Sequence, residues 1–116
     1  MDLPNCLKDI IAAYIGAYIL LDWVDESKLD MEQLSKNLNA IHLLAQNLDK
    51  VDWYSLSENP NAIPILDKNL DKINWSSLSE NPNAIHLLEK NLDKINWYQL
   101  SGNPNIFKLK KFPELN

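Results

Sequence analysis

Leu34 to Ser55, Leu56 to Ser77 and Leu78 to Gln99 share one pattern at a spacing of 22 residues, and Leu100-Ser101-Gly102-Asn103-Pro104-Asn105-Ile106 opens a fourth copy. A fixed short period restricts a chain to stacked, quasi-one-dimensional architectures, in which each unit buries its apolar face against its neighbours. Leu56-Ser57-Glu58-Asn59-Pro60-Asn61-Ala62-Ile63 recurs as Leu78-Ser79-Glu80-Asn81-Pro82-Asn83-Ala84-Ile85, and Leu70-Asp71-Lys72-Ile73-Asn74-Trp75 recurs as Leu92-Asp93-Lys94-Ile95-Asn96-Trp97. The first copy keeps the frame more loosely, with Asn37-Leu38-Asn39-Ala40-Ile41 and Val51-Asp52-Trp53 in the corresponding places.

The period fits a pair of short helices. Asn59, Asn81 and Asn103 each precede a proline, which suits an N-cap followed by Pro at the first helical position. From there Ile63, Leu66 and Leu70, or Ile85, Leu88 and Leu92, fall on one helical stripe, giving a first helix of about two to three turns. Asn47, Asn69 and Asn91 sit where a left-handed residue would close that helix. Asp52, Asn74 and Asn96 then cap a second helix of one or two turns that starts at Trp53, Trp75 or Trp97 and ends at Leu56, Leu78 or Leu100. This register predicts burial of Leu66, Leu70, Leu88, Leu92, Ile73 and Ile95. It makes Pro64 the fifth helical residue, which predicts a kink or a late start in the middle repeat. Leucine-rich repeats are the strand-containing alternative, but here alternation lasts only over Lys72-Ile73-Asn74-Trp75.

The expected fold is an all-α, short-helix solenoid of about four 22-residue repeats with an apolar N-terminal capping helix. Residues 1–28 form the cap and lead-in, 29–107 the repeats (34–55, 56–77, 78–99 and a partial 100–107), and 108–116 a tail. Lys28 to Leu34 lies one period before Lys50 to Leu56, so the array begins at its second helix, with Met31 in the tryptophan slot. Phe107, Leu109 and Phe112 can seal the last layer. Residues 10–21 are an unbroken apolar run between Asp9 and Asp22. They fall short of the about 20 residues that span a bilayer, and Asp2 and Asp9 offset Lys8 where a signal peptide would be basic. As a helix the run places Ile11, Ile15 and Ile19 on one stripe and Tyr14 and Tyr18 on the next, more apolar surface than one layer covers. It therefore predicts self-association, a partner protein or contact with a membrane surface.

No constellation for catalysis, cofactor or metal is expected. The lone cysteine, Cys6, excludes an internal disulfide and has no base fixed beside it in sequence. His42 and His86 share a repeat position, but Pro64 intervenes and no carboxylate or thiol stands at ligand spacing. The glycines are Gly16 and Gly102, so there is no phosphate loop. Lys50, Lys72 and Lys94 each follow an Asp, which reads as an evenly mixed solvated face. A net charge of −5 without interleaved basic and aromatic clusters disfavours direct binding of nucleic acid. Trp53, Trp75 and Trp97 read as a core or edge ladder. Charge is also uneven along the chain: residues 1–33 carry seven acids and two lysines, whereas residues 100–116 carry one acid and Lys108, Lys110 and Lys111. Opposite ends of that kind attract neighbouring molecules, or dock the basic tail on an acidic surface. Tyr14, Tyr18, Lys108, Lys110 and Lys111 are accordingly the candidate partner-binding residues.

The stretch Asn81 to Trp97, with Leu21-Asp22-Trp23-Val24-Asp25 before the array and Asn103-Pro104-Asn105-Ile106-Phe107 after it, resembles the short tandem repeats of proteins encoded by giant double-stranded DNA viruses. The likeness covers about residues 22–109; Leu38 replaces the first proline and Met31 a tryptophan. It implies a viral protein, in the virion or in the host-cell cytoplasm, and transfers no catalytic motif. The expected function is non-enzymatic: a small virion component, minor capsid or cement, that binds other shell proteins. An intracellular adaptor for a host protein is the alternative, and membrane-surface attachment through residues 10–21 a third.

Overall fold

The computed structural model describes residues 17–112, and among them the architecture is all-α with no strand. Seven helices follow in order: α1 (Met31–Lys36), α2 (Ile41–Ala45), α3 (Trp53–Glu58), α4 (Ile63–Asp67), α5 (Trp75–Glu80), α6 (Ile85–Glu89) and α7 (Trp97–Leu100). Single 3₁₀ turns lie at Glu26–Lys28, Leu70–Lys72, Leu92–Lys94 and Pro104–Ile106. The odd-numbered helices recur every 22 residues and stack in a column, α1 on α3 on α5 on α7, while α2 and α4 pack back onto the helices that precede them. This is the helical solenoid that the period predicts.

The odd-numbered helices start where the capping residues stand. Asp30 accepts from Gln33 N–H at 2.9 Å, Asp52 from Tyr54 N–H at 3.2 Å, Asn74 from Ser77 N–H at 3.0 Å and Asn96 from Gln99 N–H at 3.1 Å. Met31 opens α1 as Trp53 opens α3, which bears out the half-repeat at the start of the array. Each layer then adds the same core: Leu34, Leu56, Leu78 and Leu100 from the odd helices, Leu44, Leu66 and Leu88 from the even ones, and Ala40, Ala62 and Ala84 between them.

The Asn-Pro pairs do something other than expected. Asn59 and Asn81 end α3 and α5, in extended conformation, with their N–H groups donating to Leu56 and Leu78. Their side-chain oxygens take the N–H of Asn61 and Asn83 at 3.0 Å, so Asn-Pro-Asn is an Asx turn between helices. The even helices begin three residues after the proline, at Ile63 and Ile85. An N-cap followed by proline and an Asx turn over proline use the same residues, and the sequence alone does not separate them. Only at Asn103 does the pair start a helical segment, the 3₁₀ turn Pro104–Ile106.

That shift corrects three further expectations. Pro64 is the second residue of α4, where no intrahelical acceptor exists for an N–H, so α4 and α6 share one register and no kink appears. The even helices have five residues instead of two to three turns, which leaves Leu70 and Leu92 in 3₁₀ turns, exposed at 43 and 62%. Ile65 and Leu87 are buried in their stead, while Leu66, Leu88 and Ile73 are buried as the repeat predicts and Ile95 is half-buried. Asn69 and Asn91 have φ near −136° and −138°, outside the left-handed region. They close their helices through the side chain instead, each donating Nδ2 to the carbonyl four residues back at 2.8 Å, as Asn47 does to Leu43 at 2.9 Å.

At the amino-terminal end the expected capping helix is not formed over residues 17–21, which carry no helical structure; Ile11, Tyr14, Ile15 and the rest of residues 10–16 lie outside the described residues, as does Cys6. Residues 18–26 run over the first repeat and leave a cleft of about 590 Å³ against Leu34, Ala40 and Leu43.

Candidate interaction surface

A buried polar column holds the layers in register. Asn81, 1% exposed, donates Nδ2 to the carbonyls of Ser57 and Asn59 at 2.9 and 3.0 Å, one repeat back. Asn59 does the same to Ser35 and Asn37, and Asn103 to Ser79 and Asn81. A serine column runs beside it. Ser35, Ser57 and Ser79 each donate to the carbonyl four residues back at 2.7 Å and accept, at 3.0 Å, the N–H of the residue that caps the next odd helix. The recurring Asn59, Asn81 and Asn103 and Ser35, Ser57 and Ser79 are thus used inside, where an unmade hydrogen bond is costly.

The tryptophans lie on the edge of the column and are interleaved with lysines. Lys72 sits over the Trp53 ring at 5.4 Å and Lys94 over the Trp75 ring at 5.3 Å. Each such contact is worth about 0.5–1 kcal/mol at an exposed site. These lysines are therefore part of a Trp-Lys ladder as well as of the solvated face. Their spacing of 19 residues from tryptophan to lysine was present in the repeat, but a helical stripe does not reveal it because the two residues belong to successive layers. Among the described residues no cation covers Trp97, which is 65% exposed. Tyr54 and Tyr98 point outward beside the ladder, 55 and 85% exposed.

The candidate partner-binding residues do not converge. Tyr18, 66% exposed, lines the cleft at the amino-terminal end. Lys108, Lys110 and Lys111 are exposed at the opposite end, on a segment whose Phe107, Leu109 and Phe112 are also open to solvent, and Tyr14 lies outside the described residues. Phe107, Leu109 and Phe112 thus do not seal the last layer. Acidic residues crowd the first end, with Asp22, Asp25, Glu26, Asp30 and Glu32 against Lys28, while residues 97–112 hold three lysines and no acid.

Among the described residues no three His, Cys, Asp or Glu side chains gather as a metal would require, and no helix is long and apolar enough to cross a membrane. His42 approaches Gln46 at 3.3 Å, one turn along its own chain. No known protein family, curated protein or solved structure matches the chain significantly.

Proposed function

We propose that this protein is a non-enzymatic interaction module whose solenoid edge binds other proteins. One observation carries the reading: a buried frame recurs from layer to layer, and several positions whose residue changes between repeats stand exposed on it. Leu, Ala, Ser and Asn of the layers are buried. Tyr54, Ser76 and Tyr98 share one exposed position, Ala45, Asp67 and Glu89 another, and Pro64 and His86 a third. A frame fixed by internal bonds with a varied exterior is what repeat scaffolds use to present a binding surface.

The resemblance to giant-virus repeats supports a finer reading in which the partners are shell proteins and the chain is a small cement component of the virion. Mass spectrometry of purified particles tests it: abundance comparable with that of shell proteins is the expected result, and absence from particles would leave the host-protein adaptor as the better reading. Tyr54→Glu with Tyr98→Glu should keep the helical content and lose binding to isolated shell proteins. Unchanged binding would move the interface off this edge.

A further inference from the structure

The two ends of the solenoid are complementary to each other, and we propose that this chain assembles head to tail with copies of itself, the carboxyl-terminal segment Phe107–Phe112 of one copy filling the amino-terminal cleft of the next. The repeat supplies the register. Residues 19–23 fall where an even-numbered helix would precede α2 but form none, and residues 18–21 line the cleft of about 590 Å³ at that place. Phe107 stands one period after Ile85 and so begins the corresponding slot at the far end; there too no helix forms, and Phe107, Leu109 and Phe112 are 80, 96 and 93% exposed. Among the described residues one end is short of a layer and the other offers apolar side chains for one. An apolar cavity of about 150 Å³ holds a single benzene, so the cleft accepts these three side chains.

The same stacking completes contacts left open elsewhere in the last layer. Lys28 shares the slot of Lys72 and Lys94, so a second copy in register brings its Lys28 over the uncovered Trp97 ring. Ser101 donates to Trp97 O as its counterparts do, but among the described residues no N–H reaches its oxygen. The N–H of Asp30 in the next copy stands in the slot of the Asp52, Asn74 and Asn96 donors. The acidic first end then meets Lys108, Lys110 and Lys111, which favours this orientation over head to head or tail to tail. A heterologous contact of this kind leaves a free end on every assembly and therefore continues beyond a dimer.

Sedimentation velocity of the full chain under reducing conditions, from low to high micromolar concentration, tests the proposal. The expected result is a series that grows past dimer with concentration and shrinks as salt rises from about 0.05 to 0.5 M. Phe107→Asp with Phe112→Asp alters exposed residues only, so helical content should hold while the association constant falls at least about tenfold. Tyr18→Asp with Lys28→Glu should weaken association likewise. Mixing the two variants leaves one intact tail facing one intact cleft, so the mixture should give a heterodimer that does not extend. A wild-type monomer at all concentrations, a closed dimer, or association indifferent to either variant would each overturn the proposal.

Discussion

Asn81 makes three hydrogen bonds with its side chain while 1% exposed, two given to the preceding layer and one received from Asn83. Truncation to alanine strands the Ser57 carbonyl and the Asn83 N–H and leaves the Asn59 carbonyl with only the bond from Ala62 N–H, and at about 1–3 kcal/mol for stranding such groups Asn81→Ala should lose roughly 2–4 kcal/mol in urea unfolding. Asn81→Asp keeps the acceptor but points a carboxylate at two carbonyl oxygens, so it should cost at least as much at neutral pH. A loss below about 1 kcal/mol for both variants would show that the column does not hold the layers together. The serines divide in the same way. Ser79 Oγ donates to Trp75 O and accepts from Asn96 N–H, whereas the buried Ser77 Oγ has no partner, because Asn74 gives its oxygen to Ser77 N–H. In the previous layer Asp52 uses its second oxygen for Ser55 Oγ at 2.8 Å. Ser79→Ala should therefore destabilise by about 1–3 kcal/mol while Ser77→Ala is neutral or stabilising, as read from paired urea titrations; equal losses would refute the assignment. At this scale the sequence shows which residues recur but not what they bond. Asp52, Asn74 and Asn96 were legible as caps because a cap bonds within three residues, whereas the partners of Asn59, Asn81 and Asn103 lie 22 to 24 residues away.

Helix starts are where sequence and structure part. The pattern Asn-Pro-Asn-Ala-Ile places a proline at the corner of the Asx turn and three residues before the helix, yet it satisfies the preference for Pro at the first helical position equally well. Pro64 was the residue that could decide between them, since a fifth-position proline distorts a helix and a second-position one does not. The regular α4 settles the matter in favour of the later start. His86 occupies the same second position in α6, where an N–H has no intrahelical acceptor. His86→Pro should therefore be tolerated, with a gain of about 0.4–1 kcal/mol through the unfolded chain. The same change at Leu87, whose N–H donates to Ala84 O at 3.0 Å, should be severely destabilising. Thermal melts of the two variants moving down together would contradict this register. Burial offers a second check on the same elements: Leu88→Ala, at 2% exposure, should cost about 2–5 kcal/mol, and Leu92→Ala, at 62%, well under half of that. The missed exposure of Leu70 and Leu92 follows from helix length alone, because a stripe drawn through seven or eight residues overruns a helix of five.

For the whole molecule the period was the most legible quantity, and it also sets what may be removed. Each layer touches only its neighbours, so stability is a sum of layers and the interfaces between them. Deleting residues 56–77 joins Ser55 to Leu78, and the new junction, Trp53-Tyr54-Ser55 followed by Leu78-Ser79-Glu80-Asn81-Pro82-Asn83, reads as the residues it replaces. Asn81 then faces the carbonyls of Ser35 and Asn37, which Asn59 holds in the full chain, and Lys94 comes to lie above Trp53 in place of Lys72. The shortened protein should fold with the same helical content per residue and unfold at a lower urea midpoint. Deleting residues 56–73 instead removes four fewer residues and puts every asparagine, serine and lysine of the later layers out of step with its target. That variant should lose the cooperative transition in circular dichroism. Equal behaviour of the two deletions would mean that the layers are held by unspecific apolar contact, and that the columns of asparagine and serine, although satisfied, do not select the register.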